Sequence, residues 1–151
     1  DDARLAGEAA DFAGRVHDVM AFVDALGVIP PPNPVEARVV YDAPCHLLHA
    51  QRVEKAPLNV LFRLSGAEIL DGPDSAWCCG SAGTYNLTHP DVSRAMLDRK
   101  MQAIIPLRPD VIATGNPGCI MQLKWGAARW GMDSRVCHPV ELLARGYRKT
   151  P

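Results

Sequence analysis

What this sequence lacks narrows its function before any motif is considered. No apolar run approaches the ~18 residues that a bilayer-spanning helix needs, so no transmembrane segment is expected, and no secretory signal is read at its start. Sixteen Lys and Arg stand against 17 Asp and Glu, a formal charge of −1, with no long basic run among them. That balance argues against a nucleic-acid partner and against attraction to an anionic membrane. The C-x2-C and C-x4-C spacings that usually build structural zinc sites are absent. Flavin and nicotinamide fingerprints are absent too, as is a nucleophile–base pair, so the chain is not expected to be catalytic alone.

What is present is an odd set of five cysteines, two of them adjacent. Secreted disulfide scaffolds normally carry an even number in a shorter chain. A reducing, cytoplasmic compartment is therefore expected, with the thiols kept for chemistry. At 151 residues the chain suits one domain that buries about 70% of its unfolded surface. It begins with Asp1 rather than Met, which reads as a processed or excised fragment.

Residues 8–27 predict one amphipathic helix within a leading segment, 1–29. Its apolar stripe is Phe12, Val16, Val19, Met20, Val23 and Leu26, with Gly27 at its end. Residues 30–34, Pro-Pro-Pro-Asn-Pro, predict a stiff linker to the domain proper, 35–151. Strand and helix signals then alternate. Short strands are expected at Val39–Tyr41, Glu68–Leu70, Val111–Thr114 and Arg135–Cys137. Helices are expected around Leu58–Phe62, over 90–105 with Thr88 and Asp91 as a capping box, over 117–130, and from Pro139 to Arg145. The pattern predicts an α/β fold, a short parallel sheet of about four strands flanked by helices. Strand-to-helix turns of such a sheet share its carboxyl edge, where ligands gather. Cys45, the pair Cys78-Cys79, Cys119 and His138 all fall in such turns.

Adjacent cysteines point to opposite faces of a strand and diverge by roughly 100° on a helix. A turn is where both sulfurs can serve one centre, and Gly80 supplies the φ freedom for it. Asn116 and Pro117 suit the N-cap and first position of a helix. Cys119 then stands beside free backbone N–H groups, a setting that favours its thiolate. The expected metal or cofactor ligands are Cys45, Cys78, Cys79 and Cys119, with His46, Gly80, Asn116 and His138 in supporting roles. Cys137 reads as a packed core thiol, Asp42 as a turn cap, and Trp77 as a shield over the site. Taken singly, Cys45 or Cys119 reads equally as a buried small hydrophobe. A vicinal pair suits a multi-iron cluster better than one tetrahedral ion, so an iron–sulfur cluster is favoured and zinc is the alternative. A Cys78–Cys79 thiol–disulfide couple is a further alternative, disfavoured by the strain of its ring.

Cys45-x32-Cys78-Cys79-Gly80-x35-Asn116-x2-Cys119 resembles the cysteine-rich CCG domain of the heterodisulfide reductase-like family. The words around it resemble glycolate oxidase iron–sulfur subunits in particular: Asp42-Ala43-Pro44-Cys45-His46-Leu47, Cys78 to Asn86, Ala113 to Cys119, and His138-Pro139-Val140-Glu141-Leu142. The resemblance implies a carboxyl-terminal CCG domain, whose parent chain carries an N-terminal ferredoxin-type region. It implies a [4Fe-4S]-type cluster on the four cysteines and electron transfer from a flavin-containing 2-hydroxyacid oxidoreductase subunit towards a membrane acceptor. It also implies a cytoplasmic place, peripheral at the inner face of the membrane through the complex. Asn116 stands where the full motif has a further cysteine, which leaves cluster type open. The alternative is a non-catalytic docking or scaffold domain of the same complex, zinc-binding or metal-free.

Overall fold

Val39-Val40-Tyr41 and Val111-Ile112-Ala113 lack polar alternation, as strands buried on both faces do. In the computed structural model, which describes residues 2–148, they form the centre of a four-stranded, all-parallel sheet. The strands are β1 (Ala37–Asp42), β2 (Ala67–Leu70), β3 (Val111–Thr114) and β4 (Arg135–Cys137), in the order β2-β1-β3-β4. Register pairs Val40 with Leu70 on one side, and Asp42 with Thr114 on the other.

Each strand face carries its own core. Val39, Tyr41, Val111, Ala113 and Cys137 pack with Met20 of α2 (Val19–Ala25), with Val60 and Leu61 of α3 (Ala56–Leu61), and with Leu142 and Leu143 of α7 (Pro139–Tyr147). Val40, Ile112 and Val136 pack on the opposite face. Their partners are Leu97, Met101 and Ile104 of α5 (Pro90–Ile104), and Leu123 and Ala127 of α6 (Pro117–Arg129). Period-two alternation of the strands sorts these residues. The connection from β1 to β2 runs through α3 on the first face. The connection from β2 back past β1 to β3 runs through the short α4 (Tyr85–Thr88) and then α5 on the second. Strand order thus reverses between β1 and β3, so their carboxyl ends flank the crevice where open α/β sheets take ligands.

The leading segment differs from the predicted single helix. It forms α1 (Ala6–Gly14) and α2, broken at 15–18. Asp18 is extended, and its carboxylate accepts from the N–H groups of Met20 and Ala21 at 2.9 and 3.1 Å, which starts a new helix. Met20 enters the core, whereas Phe12 and Val16 stay exposed. Of the apolar stripe Met20 alone is buried and Val23 packs partly, while Val19 and Leu26 stay exposed.

The proline-rich segment, expected as a stiff linker, lies docked against the domain. Pro31 and Val35 are buried, and the Asn33 backbone N–H and side-chain amide both donate to the Gly146 carbonyl at 3.1 Å. A Cβ on Gly146 would lie 2.6 Å from that of Pro31, so glycine is what lets α7 approach. The expected Thr88–Asp91 capping box is also absent. Thr88 instead ends α4, its hydroxyl donating back to the Thr84 carbonyl at 3.3 Å, and His89 is the residue before α5. No helix of the described residues is long and apolar enough to cross a membrane.

Candidate functional site

Cys45 follows β1, Cys78 and Cys79 follow β2, and Cys119 lies in the first turn of α6 after β3, all past the carboxyl edge of the sheet. The fold brings the four together. Cys79 and Cys119 are buried with their sulfurs 3.3 Å apart. Half-buried Cys78 has Cys45 as its thiol neighbour. Cys137 is excluded: it points to the other face of β4 and packs in the opposite core, as a structural thiol would.

Gly80 makes the vicinal pair possible. It sits at φ +88°, and its N–H donates to the Cys78 sulfur at 3.4 Å. The turn is held from two helices. Ser93 of α5 donates its hydroxyl to the Gly80 carbonyl at 2.8 Å, and Gln122 of α6 donates to the Ser93 oxygen at 3.0 Å. These two polar side chains are buried and satisfy one another, so the turn is fixed rather than draped.

Proton placement among the thiols differs from the expectation of a Cys119 thiolate. The Cys119 backbone N–H is taken by the Asn116 side-chain oxygen at 3.0 Å, and so does not serve the sulfur. Its hydrogen bond with Cys79, followed by burial, raises the Cys119 thiol far above the usual range. Cys79 is lowered, first by that same hydrogen bond, and further by the Ser81 N–H and the Lys100 charge against the effect of burial. Cys78 is raised, chiefly by burial, with the Gly80 N–H opposing and the Cys45 and Cys79 sulfurs adding to the rise. Cys79 is the more acidic of the buried pair.

Asn116 does two things with one amide. Its oxygen caps α6, and its nitrogen donates to His46 Nε2 at 2.9 Å, which leaves the His46 proton on Nδ1. His46 is thereby tied to the start of α6. Asn116→Ala is expected to lose about 1 kcal/mol of stability, the worth of a cap, read as a lower urea midpoint at unchanged slope. His138 is the N-cap of α7: its Nδ1 accepts from the Val140 N–H at 3.1 Å, and Glu141 accepts from the His138 N–H at 3.0 Å. Burial lowers its imidazole pKa.

Two expected roles change. Asp42 does not cap a turn. It is buried at the end of β1, paired with the equally buried Lys100 of α5, and accepts from the Thr114 hydroxyl at 3.2 Å. Lys100 also donates to the Asp74 and Ser75 carbonyls, each at 3.3 Å. It therefore ties the loop that leads to Cys78 back onto the sheet. Trp77 is 40% exposed, with the Arg99 guanidinium stacked 3.5 Å above its ring. Lys100, Ser93 and Gln122 were missed from sequence. Lys100 had a signal, since it lies on the stripe Leu97, Lys100, Met101, Ile104 that faces the core.

The cysteine-rich CCG domain family matches residues 39–124, more than half of the chain and inclusive of all four thiols. The chain belongs to this family. It is 41% identical over 114 residues to the glycolate oxidase iron-sulfur subunit of Escherichia coli K12, covering 76% of this chain and 26% of that protein. It is 31% identical over 136 residues to lactate utilization protein A of Oceanobacillus iheyensis, covering 89% of this chain and 56% of that protein. An uncharacterized Escherichia coli K12 protein, YkgE, is 28% identical over 144 residues, covering 95% of this chain and 60% of its own length. The chain thus spans between a quarter and three-fifths of these relatives. The CCG domain links it to the glycolate-oxidase and lactate-utilization type of oxidoreductase subunit.

The donor set suits a thiophilic group: four thiols, with backbone N–H groups on Cys78 and Cys79. The spacing of the buried pair is not that of two ligands on a single ion. Two thiolates on one zinc, each about 2.3 Å from the metal, stand about 3.8 Å apart, whereas Cys79 and Cys119 are at 3.3 Å. Among the described residues, no group of three or more His, Cys, Asp or Glu side chains is spaced to hold a metal ion.

Proposed function

We propose that this domain is a non-catalytic part of an oxidoreductase complex acting on a small 2-hydroxy acid of the glycolate or lactate type. In this reading Cys45, Cys78, Cys79 and Cys119 hold an iron–sulfur cluster, which supplies one-electron steps between a flavin subunit and a downstream acceptor. One observation carries it: four thiols from three separate strand-to-helix connections converge where strand order reverses. The residues of this chain contribute the surroundings. Gly80 and Ser81 direct N–H groups at the sulfurs, and the close-packed second core excludes water from Cys79 and Cys119.

A second reading is favoured by the spacing itself. A domain whose nest keeps its thiols reduced, or spreads slightly to take zinc, serves the same complex by docking or scaffolding. The 3.3 Å contact and the absence of an ion-spaced group among the described residues stand closer to this reading than to a preformed cluster site.

Anaerobic purification of the parent subunit with its partners separates the two. The cluster reading expects iron and acid-labile sulfide in similar amounts, visible absorbance that bleaches on reduction, and loss of both in Cys79→Ser. One zinc per chain without sulfide, or neither metal, would overturn it in favour of docking.

A further inference from the structure

We propose that Cys79 and Cys119 close to a disulfide on two-electron oxidation, and that this long-range pair, rather than the adjacent Cys78 and Cys79, is the redox couple of the domain. The inference rests on sulfur spacing and not on the iron–sulfur reading. At 3.3 Å the two sulfurs are too close to share one ion without moving apart. They need only about 1.3 Å of approach to reach a covalent S–S length. The partners come from different elements, the loop after β2 and the first turn of α6, so small shifts of either can close the gap.

The adjacent pair is placed otherwise. The Cys78 sulfur accepts the Gly80 N–H, and Cys45 is a thiol neighbour alongside Cys79. A bond between neighbouring residues must also close a small strained ring, whereas Cys79 and Cys119 are 40 residues apart and free of that constraint. Both are buried, which disfavours mixed disulfides with bulky thiols and leaves each the other's natural partner.

The oxidant is of the peroxide class. One sulfur attacks hydrogen peroxide, an S–O bond forms as the O–O bond breaks, and one water leaves. The second sulfur then attacks that sulfenic sulfur, the S–S bond forms as S–O breaks, and the second water leaves with the remaining thiol proton. Two thiols and one peroxide give one disulfide and two waters. A dithiol reductant returns the two electrons and is itself oxidised to a disulfide. Closure removes two of the four clustered thiols from any ligand set, so the oxidised form cannot take zinc or a cluster on all four.

The test uses the full chain, reduced, treated with one equivalent of hydrogen peroxide under argon, then denatured, alkylated and mapped by mass spectrometry without reduction. Expected is the loss of two alkylatable thiols per chain, a cross-link joining the Cys79 and Cys119 peptides, and its reversal by dithiothreitol. The cross-link should persist in Cys78→Ser and vanish in Cys119→Ser. A dominant Cys78–Cys79 or Cys45–Cys78 bond, or sulfinic acid without any cross-link, overturns the proposal, and mapping of the unmutated chain decides it even if a variant fails to fold. Iron and sulfide content is a separate measurement, so failure of the cluster reading leaves this result interpretable.

Discussion

Lys100→Met is expected to destabilise the fold by about 3–5 kcal/mol, the cost of leaving a buried charge without its partner. Against a typical total of about 5–15 kcal/mol that is a large fraction. Met keeps the length and apolar stem of Lys but abandons Asp42, which is 2% exposed and would retain only the Thr114 hydroxyl. The loop from Asp74 to Cys79 would also lose the two carbonyl contacts that Lys100 makes. The pH dependence has a definite sign. Burial already holds the Asp42 carboxyl above its ordinary range, while Lys100 and then Thr114 pull it back down. Removal of Lys100 leaves burial unopposed by the ammonium, so the folded-state value rises further. A folded pKa above the unfolded one means that the native state binds the extra proton. That stability is fully present below the unfolded Asp value, about 4, and is lost as pH rises through the folded value. Urea midpoints of the variant should therefore fall, relative to the parent, as pH rises above the unfolded Asp value. The double variant Lys100→Met/Asp42→Leu should recover most of the loss and flatten that trend. A single variant that is as stable as the parent at about pH 8, or that gains on the parent as pH rises, would remove the ion pair from any structural role.

The central strands were legible because strands covered on both faces leave unbroken apolar runs, and Val39–Tyr41 and Val111–Thr114 are such runs. Convergence of the cysteines was legible for a related reason. In a parallel sheet every strand-to-helix turn shares one edge, so Cys45, Cys78, Cys79 and Cys119 meet whatever their separation in sequence. The state of the sulfurs was not legible. Which of Cys79 and Cys119 is the more acidic depends on a side-chain contact between residues 40 apart, on an N–H that Asn116 takes first, and on a buried ammonium from a third element. Spacing along the chain carries none of these. Lys100 itself was hidden by a sound default, since lysine is rarely fully buried unless paired. Its partner, Asp42, lies 58 residues away. The leading helix was misread because a stripe of apolar residues shows which side chains can share a face, not whether a surface exists to cover them. Phe12 and Val16 have the spacing of a buried stripe and remain 65% and 63% exposed.

Gly80→Ala is expected to lose roughly 3 kcal/mol, made of a left-handed backbone penalty of about 1–2 kcal/mol and an overpacking term of similar size. Both terms come from the same carbon. At φ +88° an L side chain is strained whatever space surrounds it. Here there is none, for an added Cβ would lie 2.5 Å from the Ser93 carbonyl oxygen and 3.0 Å from its hydroxyl. The carbonyl belongs to the first turn of α5 and cannot swing aside as a flexible side chain would. Relief must therefore come from the turn, which would lose the Ser93–Gly80 hydrogen bond and, with it, the support of Gln122. Ser93→Ala isolates that second contribution: it removes the hydroxyl and the hydrogen bond but keeps φ and the carbonyl, so a loss nearer about 1 kcal/mol is expected. The thiols give the functional readout. Buried Cys79 should react with a maleimide at least tenfold faster in Gly80→Ala than in the parent, under conditions where both are folded. Cys137, in the core on the other face of the sheet, should be unchanged and serves as the internal control. Equal acceleration at both cysteines would mean global loosening, and no acceleration at Cys79 would mean that the turn holds its sulfur without Gly80.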